Sequence, residues 1–349
     1  MEFEFEKIYI DKNVYSSKVW TERANKVKKR FNKAAVKTVD SHWKIPELYN
    51  FDPSKWIEAK RKVLVLGIKK GMQMQCSGRS TDFIPPSHAN GCLSSCMYCY
   101  TARRKGGSNP LTLFLNVEDI ADSIEKHSNK LGPKNPNQCD PKYWTYDIGN
   151  NNDCSIDLEL SNTIPYLIER AKQTKMAKLS FATKTVNKKW EKIDPGDRVR
   201  IRYSLMPESL ARQIDIRTSR IDERINHINT LVDCGYEVHI NFSPVVVTPN
   251  SKVIWNDLLK KIDKTLSSKA KQQLKCEVIF LTHSEKLHNL NKDWNPKGES
   301  LIWSPERQQT KFNKPDVLCY KYDLKKQYVE AFKRMIHREI PYCGIRYIF

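Results

Sequence analysis

Gly91-Cys92-Leu93-Ser94-Ser95-Cys96-Met97-Tyr98-Cys99-Tyr100 sets three cysteines in a C-x3-C-x2-C spacing, with an aromatic residue before the last. Iron–sulfur clusters are held by cysteine thiolates, usually four for a 4Fe–4S cluster. Three closely spaced thiolates leave one iron without a protein ligand, and an open position is what separates catalytic from structural metal sites. The other seven of the ten cysteines are scattered singly. A structural zinc ion would want a fourth ligand from a second paired motif. The sequence shows no such motif, although Cys76, His88 or Cys139 would serve singly. Three unrelated buried thiols are the remaining reading. The spacing favours the cluster.

Outward from the cysteines the chain alternates. Before them, residues 63–68 form an apolar run that reads as a buried strand, while 1–60 are polar with interspersed aromatics. After them, 111–116 is strand-like and 117–129 helical, opened by the cap-like Asn116 with acids in its first turn. Strands at 143–148, 177–183, 198–205, 237–247 and 276–281 then alternate with helices near 158–173, 221–234 and 253–266. Such alternation argues for parallel strands joined by right-handed crossovers. It points to a partial or full barrel rather than a doubly wound sheet. The pattern breaks at the end, where a Pro-, Lys- and Gln-rich stretch at 294–315 precedes a strand at 317–322 and a helix at 324–337.

Composition sets the remaining bounds. With 39% hydrophobic and 29% charged residues the chain is globular and not disordered. No window approaches ~18 apolar residues, so no membrane span is expected. The mixed-charge start MEFEFEKIYIDK lacks a basic-then-apolar run, so we expect no signal peptide and a cytoplasmic location. Lysine plus arginine exceed aspartate plus glutamate by 60 to 40, a net charge of +20. The excess is spread from Lys26-Val27-Lys28-Lys29-Arg30 through Arg198-Val199-Arg200-Ile201-Arg202 to Lys325-Lys326. Distributed positive charge favours a polyanion.

The C-x3-C-x2-C spacing with Tyr98 before the third cysteine resembles the radical S-adenosylmethionine superfamily. A wider set of segments resembles its spore photoproduct lyase branch. In order they are Val65-Leu66-Gly67-Ile68-Lys69-Lys70, Ala89-Asn90-Gly91-Cys92 leading to Tyr100, and Leu115-Asn116-Val117-Glu118-Asp119-Ile120. Lys178-Leu179-Ser180-Phe181-Ala182-Thr183-Lys184, Arg202-Tyr203-Ser204-Leu205 and Thr218-Ser219-Arg220-Ile221-Asp222-Glu223-Arg224-Ile225 follow. The resemblance implies a partial (β/α)6 TIM-type barrel at 81–285, with an N-terminal extension at 1–80 and a hairpin-plus-helix appendage at 286–349. It implies that Cys92, Cys96 and Cys99 ligate a 4Fe–4S cluster and that Tyr98, Lys184 and Ser204 contact S-adenosylmethionine. The cofactor would be cleaved reductively to a 5′-deoxyadenosyl radical that takes hydrogen from the substrate. The electron would come from a flavodoxin or ferredoxin, and the chain would be a monomer.

The family's hydrogen-donating cysteine is missing from its place. The ungapped match puts Gly149 there, and Cys154 lies five residues on, at the end of the polar stretch Asp147-Ile148-Gly149-Asn150-Asn151-Asn152-Asp153. Cys154 is one candidate donor; Cys319, a tyrosine or deoxyadenosine are others. We expect a DNA base lesion of the spore-photoproduct type, or another nucleic-acid base, as substrate, with Arg307, Lys311, Lys314, Tyr320 and Lys321 as nucleic-acid contacts. The alternatives are radical chemistry on a nucleotide, peptide or metabolite, and a non-catalytic metal-containing protein that binds nucleic acid.

Overall fold

A computed structural model describes residues 3–49, 55–99, 101, 108–312 and 314–349; Tyr100 of the cysteine motif lies outside them. The chain divides into two compact units. The first is Met1–Ser95, Tyr100–Phe181 and Asn187–Val199; the second is Cys96–Cys99, Ala182–Val186 and Arg200–Phe349.

In the first unit, strand Val63–Gly67 is buried along its whole length, as a strand covered on both faces must be. It pairs in parallel with Lys7–Asp11 on one side and Leu111–Phe114 on the other. Ala35–Val39, mostly exposed, forms one edge beside Lys7–Asp11, and Ala89–Asn90 runs antiparallel at the other. The polar N-terminal segment therefore supplies two strands that its composition did not announce. Trp144–Asp147 pairs in parallel with Ala177–Thr183 and with Phe83–Ile84.

Helix Val117–Leu131 buries Val117, Ile120, Ala121 and Ile124, the spacing of one helical face. Asn116 stands at the N-cap position as expected, but its side chain makes no cap hydrogen bond. Its amide accepts from Lys69 N–H at 2.8 Å and donates to Lys69 O at 2.9 Å and Asp119 Oδ2 at 2.8 Å, clamping the end of one strand to the start of the helix. The single helix expected near 158–173 is two, Cys154–Leu160 and Thr163–Gln173. Asp153 caps the first by accepting from Ser155 N–H at 3.0 Å. Pro165 falls in the first turn of the second, where no N–H is needed.

In the second unit, Val199–Leu205, Glu237–Val245, Lys275–Phe280 and Gly344–Ile348 pair in parallel in that order. The last strand, unforeseen in the sequence, brings the C-terminus into the sheet. Within the basic run, Arg200 and Arg202 are buried on the first strand, paired with Glu237 at 2.8 Å and Glu277 at 3.1 Å. They are core ion pairs and not a surface for a polyanion. Helix Glu285–Trp294 precedes the Pro-, Lys- and Gln-rich stretch at 294–315, which itself holds helix Pro296–Ile302, its proline at the tolerated first position. Gln308–Lys311 and Lys314–Tyr320 make the antiparallel hairpin, joined by Thr282–His283 and followed by helix Tyr322–Glu339. Among the described residues no helix is long and apolar enough to cross a membrane.

Candidate functional site

Residues 91–99 form a loop without helix or strand. Cys92 belongs to the first unit, Cys96 and Cys99 to the second. None of the ten cysteines is in a disulfide; Cys96 is buried, Cys92 and Cys99 are half-buried. Ser94 N–H donates to Cys92 Sγ at 3.4 Å, and Cys99 N–H donates to Cys96 O at 3.2 Å. An amide aimed at a sulfur suits a thiolate ligand, because hydrogen bonds to the sulfurs tune a bound cluster. Three reduced thiols on one loop, one already receiving an N–H, fit an iron–sulfur cluster as a donor set. Among the described residues no group of three or more His, Cys, Asp or Glu is placed to hold a single metal ion.

The second unit brings Tyr98 and Lys184 together through Asp215, a residue the sequence did not single out. Lys184 follows strand Ala177–Thr183, and its Nζ lies 2.8 Å from Asp215 Oδ1 and 3.3 Å from Ser243 O. Tyr98 Oη donates to Asp215 Oδ1 and accepts from Lys184, whose ammonium stands 4.7 Å from the centre of the Tyr98 ring. On the other carboxylate oxygen, Arg224 Nη1 lies 3.4 Å from Asp215 Oδ2 and donates to Ser204 O at 2.7 Å. Ser204 thus joins the same network by its backbone, near the end of its strand, in register with Asn241. The ends of such strands are where barrels of this kind carry their functional groups.

Electrostatics hold this network in one state. Burial pushes the Asp215 carboxyl up, but the charges of Lys184 and Arg224 and the bonds from Lys184 and Tyr98 outweigh it and hold it below its ordinary 3.8. Burial first, and the Asp215 charge second, push the Tyr98 phenol well above 10.0, so it remains a donor. Asp215 ends the short helix Glu208–Ile214, where a carboxylate opposes the helix dipole. That misplaced acid was the one sequence signal for it.

Cys154 sits elsewhere, in the first unit, at the start of helix Cys154–Leu160 and fully buried. Burial, then the charges of Asp157, Asp153 and Asp147, push its thiol well above 9.0, so sulfur keeps its hydrogen. Gly149 leaves no room for a cysteine: a Cβ there would lie 2.7 Å from Phe181 Cβ and 3.5 Å from Cys154 Sγ. The sulfur of Cys154 therefore stands beside the position from which a side chain at 149 would start.

The surrounding polar run is mostly scaffolding. Asn151 donates to Ser87 Oγ at 2.8 Å and accepts from Gly91 N–H at 2.9 Å, anchoring the chain just before Cys92. Asn152 Nδ2 lies 3.8 Å from Cys154 Sγ and 3.1 Å from His88 Nε2, and it donates to Asp157. His88, considered above as a zinc ligand, lies 3.1 Å from Asp157 Oδ2. Among the described residues, His88 Nδ1, Asn152 Oδ1 and Asp157 Oδ1 are buried without a protein partner.

Two of the expected nucleic-acid contacts face inward. Tyr320 is 2% exposed and accepts from Val247 N–H at 2.8 Å, so it does not wedge between bases. Arg307 donates to Val247 O at 2.9 Å and Ser304 Oγ at 3.0 Å, pinning the same loop. Lys314 and Lys321 are exposed, and Lys311 is half-buried with its ammonium 6.0 Å from the Phe349 ring centre. Phe312, which no sequence signal marked, is 89% exposed between the two hairpin strands. Lys311 and Lys314 flank it.

Comparison with known proteins places these features. The sequence profile of the spore photoproduct lyase family matches residues 3–349. Spore photoproduct lyase of Bacillus subtilis (strain 168) is 22% identical over 299 residues, 82% of each chain. That of Geobacillus sp. (strain Y412MC61) is 19% identical over 299 residues, again 82% of each chain. A solved spore photoproduct lyase mutant superposes with a TM-score of 0.88 at 18% identity over 100% of both chains. Spore photoproduct lyase complexed with dinucleoside spore photoproduct gives 0.87 at 17% identity, also over 100% of both. A further mutant, with bound AdoMet and dinucleoside spore photoproduct, gives 0.86 at 16% over 100% of both. These likenesses show the α/β partial-barrel fold. Matched by the family profile along nearly its whole length, the chain belongs to the spore photoproduct lyase family.

Proposed function

We propose that this chain is a radical S-adenosylmethionine lyase that repairs a spore-photoproduct thymine lesion in DNA. Cys92, Cys96 and Cys99 hold a 4Fe–4S cluster, Tyr98, Lys184 and Ser204 receive the cofactor, and Cys154 donates hydrogen. The observation that carries the reading is the joining of Tyr98, one residue from Cys99, to Lys184 through buried Asp215. That network ties an ammonium and a guanidinium to a ring that stands one residue from Cys99 and two from Cys96. When bound, the cluster supplies the electron that splits S-adenosylmethionine to its radical. The residues of the chain orient the cofactor and hold Tyr98 protonated.

Cys154 supplies the step that Gly149 has lost. Its S–H bond breaks, a C–H bond forms on the product radical, and a thiyl remains on Cys154. Burial keeps the thiol form that this transfer needs. Phosphate contacts would come from Lys311, Lys314 and Lys321, with Phe312 stacking on an unpaired base. The reading includes a flavodoxin or ferredoxin as electron donor, a monomeric state and a cytoplasmic location. A second reading, the same chemistry on another substrate, is favoured by one observation, the space at Gly149 being closed by Phe181.

The test is anaerobic reconstitution followed by reductant, S-adenosylmethionine and DNA carrying the spore photoproduct. Formation of 5′-deoxyadenosine together with conversion of the lesion to two intact thymine residues within the DNA is expected. Cys154→Ala should keep forming 5′-deoxyadenosine while thymine yield drops. Deoxyadenosine without thymine in the native chain moves the assignment to the second reading, and absence of both defeats it.

A further inference from the structure

The Cys96–Cys99 segment is gripped by the C-terminal part of its own unit. Met97 is 2% exposed, and both its backbone groups are engaged: N–H donates to Ile214 O at 3.0 Å, and O accepts from Asn291 Nδ2 at 3.0 Å. Asn291 is itself buried and spends its other N–H on Glu299 Oε2 at 2.7 Å. Asn295 Nδ2 reaches Met97 Sδ at 3.2 Å and Gln213 O at 3.0 Å, while its Oδ1 accepts from Gly298 N–H at 3.0 Å. Gly298 comes closest. A Cβ there would overlap Met97 Sδ and lie 2.7 Å from Gln213 O, so only glycine lets helix Pro296–Ile302 approach.

Behind this contact Glu299 is fixed in turn. It is 2% exposed, and its Oε1 lies 2.8 Å from His283 Nε2 and 2.7 Å from His288 Nδ1. His288 stacks on Trp303 with ring centres 3.7 Å apart. Burial of Met97 requires partners for its peptide groups, and one of them is a side chain brought by helix Glu285–Trp294. The peptide groups held here are those of a loop residue between two cysteines.

We propose that helices Glu285–Trp294 and Pro296–Ile302 form a positioning clamp on the cysteine loop. Asn291, Asn295 and Gly298 are positioning residues that fix Met97 and with it the directions in which Cys96 and Cys99 present their sulfurs. The proposal rests on the cluster reading above. Groups that orient metal ligands shape a site as much as the ligands themselves. This part of the C-terminal segment therefore serves the cluster and not the nucleic acid.

The test compares full-length native protein with Asn295→Ala and Gly298→Ala. In metal-free protein, alkylation of Cys96 should rise about fivefold in Asn295→Ala, the factor expected for losing one cap-type side chain, with Cys319 unchanged as internal reference. In anaerobically reconstituted protein, iron loss to a chelator should accelerate by a similar factor. Gly298→Ala should exceed both. Should Gly298→Ala fail to fold, Asn295→Ala decides alone. Unchanged Cys96 alkylation in Asn295→Ala overturns the clamp, and so does a parallel rise at every cysteine, which is general loosening. Native protein that takes up no iron or sulfide would sink the cluster reading, while the alkylation comparison would still decide the clamp.

Discussion

Asp215 and Asp157 are both buried carboxylates, yet their surroundings differ in kind. Asp215 faces two cations and a phenol, one cation on each of its oxygens. Asp157 meets an imidazole and an amide on one oxygen and has no protein partner on the other. The first is a charge network with fixed orientation. The second is a softer polar cluster around the buried Cys154 thiol. Buried polar networks rigidify a site when fully satisfied and leave it more tolerant of change when only partly so.

The comparison is broken most directly at Asp215. Asp215→Asn leaves Lys184 and Arg224 facing each other without a counter-charge, so unfolding stability should fall by about 3–5 kcal/mol. Urea denaturation measures it, and an unchanged midpoint would remove the ground for the contrast. The pH dependence sharpens the same point. A carboxyl held below its ordinary 3.8 contributes stability that is complete above that value and lost as pH falls through the lower folded value. The gap between native protein and Asp215→Asn should stay level near neutrality and close below pH 3.8.

Gly149→Ala tests how tightly the thiol region is packed. Its Cβ meets Phe181 Cβ at 2.7 Å, and overpacking of that kind costs about 1–3 kcal/mol. A full-strength double variant, Gly149→Ala with Phe181→Ala, should show coupling in thermal melts; strict additivity would mean that the two side chains do not compete for that space. The smallest effect is expected at Asp157. Asparagine keeps an acceptor for His88 and Asn152, so Asp157→Asn should cost only about 1 kcal/mol. A loss equal to that of Asp215→Asn would show that Asp157 is as firmly tied as Asp215.

Much of this was legible in the chain itself. The parallel strands at 63–67, 177–183 and 199–205 lie where continuous apolar or alternating runs predict them. The N-terminal strands were not legible, because Ala35–Val39 is an exposed edge with four of its five residues facing solvent. The helices at 285–294 and 296–302 were hidden by a polar composition, since their buried positions include asparagine, glycine and glutamate engaged in specific contacts. The basic run at 198–202 misled, because charge in sequence does not say whether a partner waits across a sheet.

By itself the sequence determined the family, the strands at 63–67, 177–183 and 199–205, and the cysteine spacing, all of which are local patterns in one dimension. It also set glycine at 149, five residues before Cys154. Tertiary structure alone decided that Asp215 joins Tyr98 to Lys184, that Phe181 closes the space at Gly149, and that Met97 is clamped by residues almost two hundred positions away. The reason is physical. A buried charge or hydrogen bond is stable only with its partner at contact distance, and that partner is set by how strands and helices pack, not by neighbours along the chain.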